Sequence, residues 1–136
     1  MIDLRLGTVE IVGLTAVFLA LAMPRTRRRR DDAMTAMQAV ILRLDEEGRT
    51  RTLRAPVPIT IGRAPGATLV IADARVSRLH ARIDLSDGIL SVRDLDSRNG
   101  TLVNARPIES PVPLAQGDEI DIGTTRIVFC GVGPWK

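Results

Sequence analysis

Three arginines, two serines, an asparagine and the chain's lone histidine fall in short clusters that could grip an anion: Gly62-Arg63, then Ser77-Arg78-Leu79-His80, then Ser97-Arg98-Asn99-Gly100-Thr101. A guanidinium is a planar fork of donors with a permanent charge, and a phosphate monoester carries about −1.5 to −2 at neutral pH, so Arg63 is the first candidate to hold one. Ser77 offers a hydroxyl and a backbone N–H, and Arg78 adds a second cation, so the loop 74–79 could close on phosphate oxygens. Asn99 can donate and accept through one amide, and Gly100 permits a positive φ in a tight turn.

None of these clusters supplies catalysis. His80 lacks both a candidate nucleophile and an orienting carboxylate in a recognisable triad, and no set of ligands spaced for a metal accompanies it. Nor is there a cysteine in a phosphate-binding loop, so a phosphatase is disfavoured. The expectation is a binding protein with no catalytic residue, no metal and no cofactor.

The bulk properties narrow the partners. With 136 residues there is room for one domain and a tail, and 45% hydrophobic content with 2% aromatic and no Tyr demands an aliphatic core. Two Phe and one Trp cannot build a stacking platform for single-stranded nucleic acid. The net charge of +3 is concentrated early: Arg25 and Arg27 to Arg30 form a basic run, whereas the remainder after residue 38 is nearly neutral. Nucleic acid is therefore not an expected partner. The single cysteine, Cys130, allows no intrachain disulfide and is expected to be a small buried hydrophobe.

From Ile11 to Met23 the chain carries no charge, and extension back to Leu6 adds only Glu10. That approaches the roughly 20 residues a bilayer requires. Residues 1–23 are expected to form an apolar transmembrane or signal-anchor helix, with membrane contact through residues 6–23. A cleaved signal peptide and a soluble helix are the competing readings. The following arginines should keep their side cytoplasmic, making a single-pass protein of the cell membrane with a basic juxtamembrane linker at 24–38. Those arginines could also contact anionic lipid.

After that linker the period changes to two. Strands are expected at 40–44, 50–54, 59–62, 68–71, 81–85, 89–94, 101–103, 112–114, 119–122 and 125–130, separated by Pro65-Gly66, Asp87-Gly88, Asn99-Gly100 and Gly117-Asp118. An all-β sandwich with functional loops at one end is the architecture such a pattern specifies.

Gly62-Arg63, Ser77-x-x-His80, Ser97-x-Asn99-Gly100-Thr101 and Gly117-Asp118-Glu119-Ile120, in this order, resemble the forkhead-associated (FHA) domain, over about residues 39–132 with a short tail at 133–136. The resemblance implies a β-sandwich of about eleven short strands that binds phosphothreonine peptides through its loops. It implies phosphothreonine contacts from Arg63, Ser77, Arg78 and Arg98, and peptide-backbone contacts from Asn99 and Asn104. It also implies structural support from Gly62, His80, Ser97, Gly100 and Thr101, with Ser97 the expected hydrogen-bond partner of His80. Two departures stand out: Arg98 occupies a position where small polar residues are common, and Ala105 replaces the glycine that commonly follows Asn104. The expected partners are phosphothreonine proteins in Ser/Thr kinase signalling, either kinase substrates or the kinase itself. A phosphorylation-independent scaffold or an anionic-lipid binder is the alternative. Eighteen arginines to one lysine suggest a bacterial source.

Overall fold

A computed structural model describes residues 38–135. The apolar segment 6–23, its expected helix and anchor role, and linker residues 24–37 lie outside the described residues. Gln38, placed in the linker from sequence, instead opens the first strand. No helix among the described residues is long and apolar enough to cross a membrane.

Eleven strands follow in order: β1 Gln38–Glu46, β2 Arg49–Ala55, β3 Ile59–Gly62, β4 Leu69–Val70, β5 Ala81–Ser86, β6 Ile89–Asp94, β7 Leu102–Val103, β8 Arg106–Pro107, β9 Val112–Pro113, β10 Glu119–Ile122 and β11 Thr125–Pro134. They form a six-stranded sheet, β2-β1-β11-β10-β7-β8, and a five-stranded sheet, β4-β3-β5-β6-β9. Most pairs are antiparallel; β3 and β4 run parallel, Ile61 beside Leu69.

Alternation puts one face of each strand inward. Val40, Leu42 and Leu44 from β1, Ile120 and Ile122 from β10, and Ile127 and Phe129 from β11 face Ile59 and Ile61 from β3, Ala81 and Ile83 from β5, and Leu90 and Val92 from β6. Each such Ile or Leu stabilises the sandwich by about 1.5–3 kcal/mol. The core is aliphatic apart from Phe129, as the composition requires.

Cys130 is half-buried, not buried as expected. The register of β1 on β11 passes from Ile41 opposite Gly131 to Leu42 opposite Phe129, so Cys130 is the extra residue of a bulge. A bulge residue drops out of the alternation, and its thiol donates to the Val128 carbonyl at 3.6 Å.

β8 has no counterpart among the strands expected from sequence. It pairs with β7 through a two-residue turn in which Asn104 (φ 50°) and Ala105 (φ 66°) are both left-handed. A Cβ in that conformation costs about 1–2 kcal/mol, of which a glycine's greater freedom in the unfolded chain returns about half. Ala105→Gly is accordingly expected to stabilise the domain by about 0.5–1 kcal/mol, read as a higher urea midpoint. A lower midpoint would count against this account of the turn.

The two ends of the sandwich are distinct. β1 runs from Gln38 to Glu46 and β11 returns antiparallel from Thr125 to Pro134, so the β1–β2 and β10–β11 turns share one end while Gln38 and Pro134 pair at the other. The loops after β3, β4 and β6 project at the turn end, where Asp73 binds Thr124.

Candidate functional site

The site begins where β3 stops. Gly62 lies so close to the loop after β4 that a Cβ there would overlap the Arg78 carbonyl oxygen, with the Arg78 carbonyl carbon at 2.8 Å. That contact is what requires glycine here. It lets the backbone ladder run past the strand: Arg63 N–H donates to Ser77 O at 3.0 Å, Ala64 N–H to Arg78 O at 3.1 Å, and His80 N–H to Ile61 O at 2.8 Å. Arg63 is thereby laid against residues 76–78. Its Nε donates to the Val76 carbonyl at 3.2 Å, which steers the guanidinium and leaves the donors of its two terminal nitrogens for an anion. The side chain itself is exposed.

His80 is fully buried between the loops. Its Nδ1 accepts from the Ser77 N–H at 3.0 Å, so Nδ1 carries no proton, and Nε2 must then be the donor to the Gly100 carbonyl at 2.9 Å. His80 thus ties the loop 71–80 to the loop 95–101 as a neutral imidazole. Its expected partner, Ser97, is not the one it binds. The Ser77 N–H, expected to face a phosphate, is likewise committed to His80. What Ser77 retains is its hydroxyl, which accepts from the Arg98 N–H at 3.0 Å and keeps its own proton to donate.

Two further bonds build the second loop. The Asn99 amide donates through Nδ2 to the Arg75 carbonyl at 2.7 Å, leaving the amide oxygen as an acceptor. Ser97 Oγ accepts from the Gly100 N–H at 2.9 Å and donates to Asp94 Oδ1 at 2.6 Å. Gly100 has φ 82°, the left-handed turn expected of it.

Asp94 was not evident from sequence. Its carboxylate also accepts from Ser97 N–H at 2.9 Å and Thr101 Oγ1 at 2.6 Å, making it the floor of the loop that presents Arg98 and Asn99. Desolvation pushes its pKa up, but the hydrogen bonds from Ser97 and Thr101 outweigh that and hold it below the ordinary value. The only signal for it was the Asp-x-x-Ser spacing at the end of β6, a common side-chain-to-backbone turn.

Asp73 fixes the other loop. It accepts from Arg75 N–H, from Thr124 N–H and from the Thr124 hydroxyl, and these bonds, the Arg75 one largest, lower its pKa from 3.8 to about 2. A depressed carboxylate stabilises the fold above its unfolded pKa near 4, and that contribution disappears as pH falls toward 2. Thermal melts between pH 5 and 2 are expected to show a steeper loss of stability for the parent chain than for Asp73→Asn. Parallel curves would exclude Asp73 as a contributor.

The predicted contacts therefore separate. Arg63, Ser77, Arg98 and Asn99 are on loops joined directly to one another, and Gly62, His80, Ser97, Gly100 and Thr101 hold those loops. Arg78 is exposed on the same loop as Ser77, and so is Arg75, an arginine not among the expected contacts. Asn104 is not joined to this network. Its Nδ2 donates to Asp118 at 3.1 Å and its Oδ1 accepts from Glu119 N–H at 3.0 Å, which anchors the β7–β8 turn to the start of β10 and leaves the second Nδ2 proton free of these bonds.

A sandwich of two antiparallel-rich sheets carrying Gly-Arg, Ser-x-x-His and Ser-x-Asn-Gly on three stitched loops defines a class of binding domain, and the chain belongs to the FHA domain family, whose profile matches residues 59–123. Among its relatives is the glycogen accumulation regulator GarA of Mycolicibacterium smegmatis, 47% identical over 68 residues, which cover 50% of this chain and 42% of that protein. The chain thus spans less than half the length of that relative. A solved structure from an analysis of phosphothreonine-dependent FHA domain interactions has a TM-score of 0.59 at 37% identity and covers 71% of this chain and 99% of that one. Mycobacterium tuberculosis EmbR in complex with a low-affinity phosphopeptide has a TM-score of 0.60 at 34% identity, over 68% of this chain and 24% of that one.

Proposed function

We propose that this chain is a phosphothreonine-dependent binding module in Ser/Thr kinase signalling. The observation that carries the reading is Arg63: its Nε is held by the Val76 carbonyl, its terminal nitrogens are left for an anion, and the Ser77 hydroxyl on the adjoining loop still has a proton to donate. Arg98 and Arg78 add charge around that point, and Asn99 offers an acceptor to the peptide backbone beside the phosphate. The similarity to GarA, a regulator by name, and to a phosphopeptide complex supports the same reading. The module recruits a kinase or its substrates and performs no chemistry on them.

The test is binding of the full chain to a phosphothreonine peptide library, with phosphoserine and unphosphorylated controls. Selective capture of phosphothreonine peptides is expected. Equal binding of the unphosphorylated set would turn the reading toward a phosphorylation-independent scaffold.

We place the module at the cell membrane, anchored through residues 6–23 with its domain cytoplasmic. The uncharged run from Ile11 to Met23 and the five arginines behind it support this. Expressed in a bacterium, the chain should stay with membranes through alkaline extraction, with its domain cut by protease only in inverted vesicles. Release by alkali would remove the anchor, and adhesion lost in high salt would assign contact to the arginines alone.

A further inference from the structure

The four sheet edges are unequal. β4, β8 and β9 are each two residues long, and Pro107 and Pro113 interrupt the last two. The fourth edge, β2, is seven residues long, has no proline or bulge, and pairs with β1 alone among the described strands. A long open edge is a template for another strand, and folded proteins commonly shorten or block such edges.

The register shows which groups it presents. Glu47 (φ 45°) and Gly48 (φ 82°) form the two-residue turn between β1 and β2, which makes Glu46 and Arg49 a hydrogen-bonded pair. Alternation along the ladder then makes Asp45–Thr50, Arg43–Thr52 and Ile41–Arg54 the non-bonded pairs. The N–H and C=O groups of Thr50, Thr52 and Arg54 consequently point away from β1. Arg49 and Arg51 share the core-side face with half-buried Leu53, Arg54 lies on the opposite face with Thr50 and Thr52, and there is no acid within the strand.

This edge continues toward the proposed phosphate site. Arg49 and Arg51 form one wall of a groove of about 740 Å³ whose other wall includes Asp73 and Ala74, and Ala74 adjoins Arg75, whose carbonyl holds Asn99. Arg51 crosses between the sheets, donating to Glu46 and to the Val70 carbonyl. Three carboxylates also line the groove: Glu46 is paired with Arg51 and Asp73 is bound to Arg75 and Thr124, leaving Glu47 at the tip.

We infer that β2 receives an extended, acidic segment of the phosphothreonine-bearing partner as an added strand. This rests on the phosphothreonine reading and assigns the partner a second recognition element. Backbone bonds to residues 50, 52 and 54 supply the grip; on the core-side face two acidic side chains meet Arg49 and Arg51 and an apolar one lies beside Leu53, and on the opposite face a third acid meets Arg54.

The test compares a phosphothreonine peptide with the same peptide extended, at either end in turn, by a Gly-Ser spacer and a Glu-Thr-Glu-Thr-Val-Glu segment in forward or reversed order. The full chain should bind one extended form about tenfold or more tighter than the short form, and amide exchange of Thr50, Thr52 and Arg54 should slow. Thr52→Pro removes an outward N–H without breaking the ladder to β1, so it should erase the gain and leave the short peptide's affinity unchanged. Paired Arg49→Glu and Arg54→Glu changes should do the same if the proline variant fails to fold. Equal affinity of short and extended peptides, or a gain that survives these variants, overturns the proposal. So does concentration-dependent protection of the edge without peptide, which would give β2 to a second copy of the chain. If phosphorylation proves irrelevant to the short peptide, the phosphothreonine reading fails separately. Protection of residues 50, 52 and 54 by the acidic segment alone then sustains the edge, and its absence overturns it.

Discussion

Arg63→Ala is expected to weaken phosphothreonine-peptide binding by roughly a hundredfold or more while the melting temperature stays close to that of the parent. Charge-assisted hydrogen bonds contribute about 1.5–3 kcal/mol each, and the two terminal nitrogens of Arg63 can make two to a phosphate. Loss of about 3 kcal/mol is somewhat more than a hundredfold in affinity. The fold should feel the change little, because the side chain is exposed and gives up a single part-buried hydrogen bond, to the Val76 carbonyl, whose net contribution is about 1 kcal/mol. Titration calorimetry with one phosphopeptide and a thermal melt decide the matter together. Affinity retained within a few fold would move the phosphate to another of the loop arginines; affinity and stability lost together would make Arg63 a structural residue.

Gly62→Ala should behave in the opposite way, losing both. The added methyl has nowhere to go: its neighbour is the Arg78 backbone carbonyl, which cannot swing aside as a side-chain tip would. Separating the chains there breaks the bonds from Arg63 N–H and Ala64 N–H that carry the loop past β3. A cost of about 3 kcal/mol is expected, equivalent to a fall in melting temperature of more than about 10 °C for a domain of this size. Gly66→Ala is the control, since a Cβ there meets nothing within 4 Å, and it should melt near the parent. Similar melts for the two variants would show that the loop tolerates displacement from β3.

The difference between these two glycines marks what was legible in the sequence. Alternation of Val, Ile and Leu reveals strands wherever they are long and regular, and β1, β3, β5, β6 and β10 were found within two residues at each end. β8 was not, because its turn is built from Asn104-Ala105 and it contains Pro107, neither of which signals a strand. The motif residues around Arg63, Ser77 and Asn99 could be named, but not their bonds. Whether the Ser77 N–H faces a ligand or His80, and which groups Asn104 holds across the turn, depends on which loops become neighbours after folding. Asp94 illustrates the same limit. As a charged residue ending a half-exposed strand it looks ordinary, and only the closure of residues 97–101 over it makes it the acceptor for three donors.

Gln38 and Pro134 face each other across the β1–β11 ladder, at the pole away from the phosphate loops. The domain is therefore entered and left at one place, and β1, nine residues at about 3.4 Å each, sets roughly 30 Å between that place and the turn end. A sandwich with this layout is portable. It can be spliced into the middle of a longer polypeptide or appended to its end without separating the flanking segments, and an appended neighbour has no steric reason to reach the recognition loops. Transplanted between hosts, such a domain would carry its ligand preference with it and leave reach and location to whatever it is joined to.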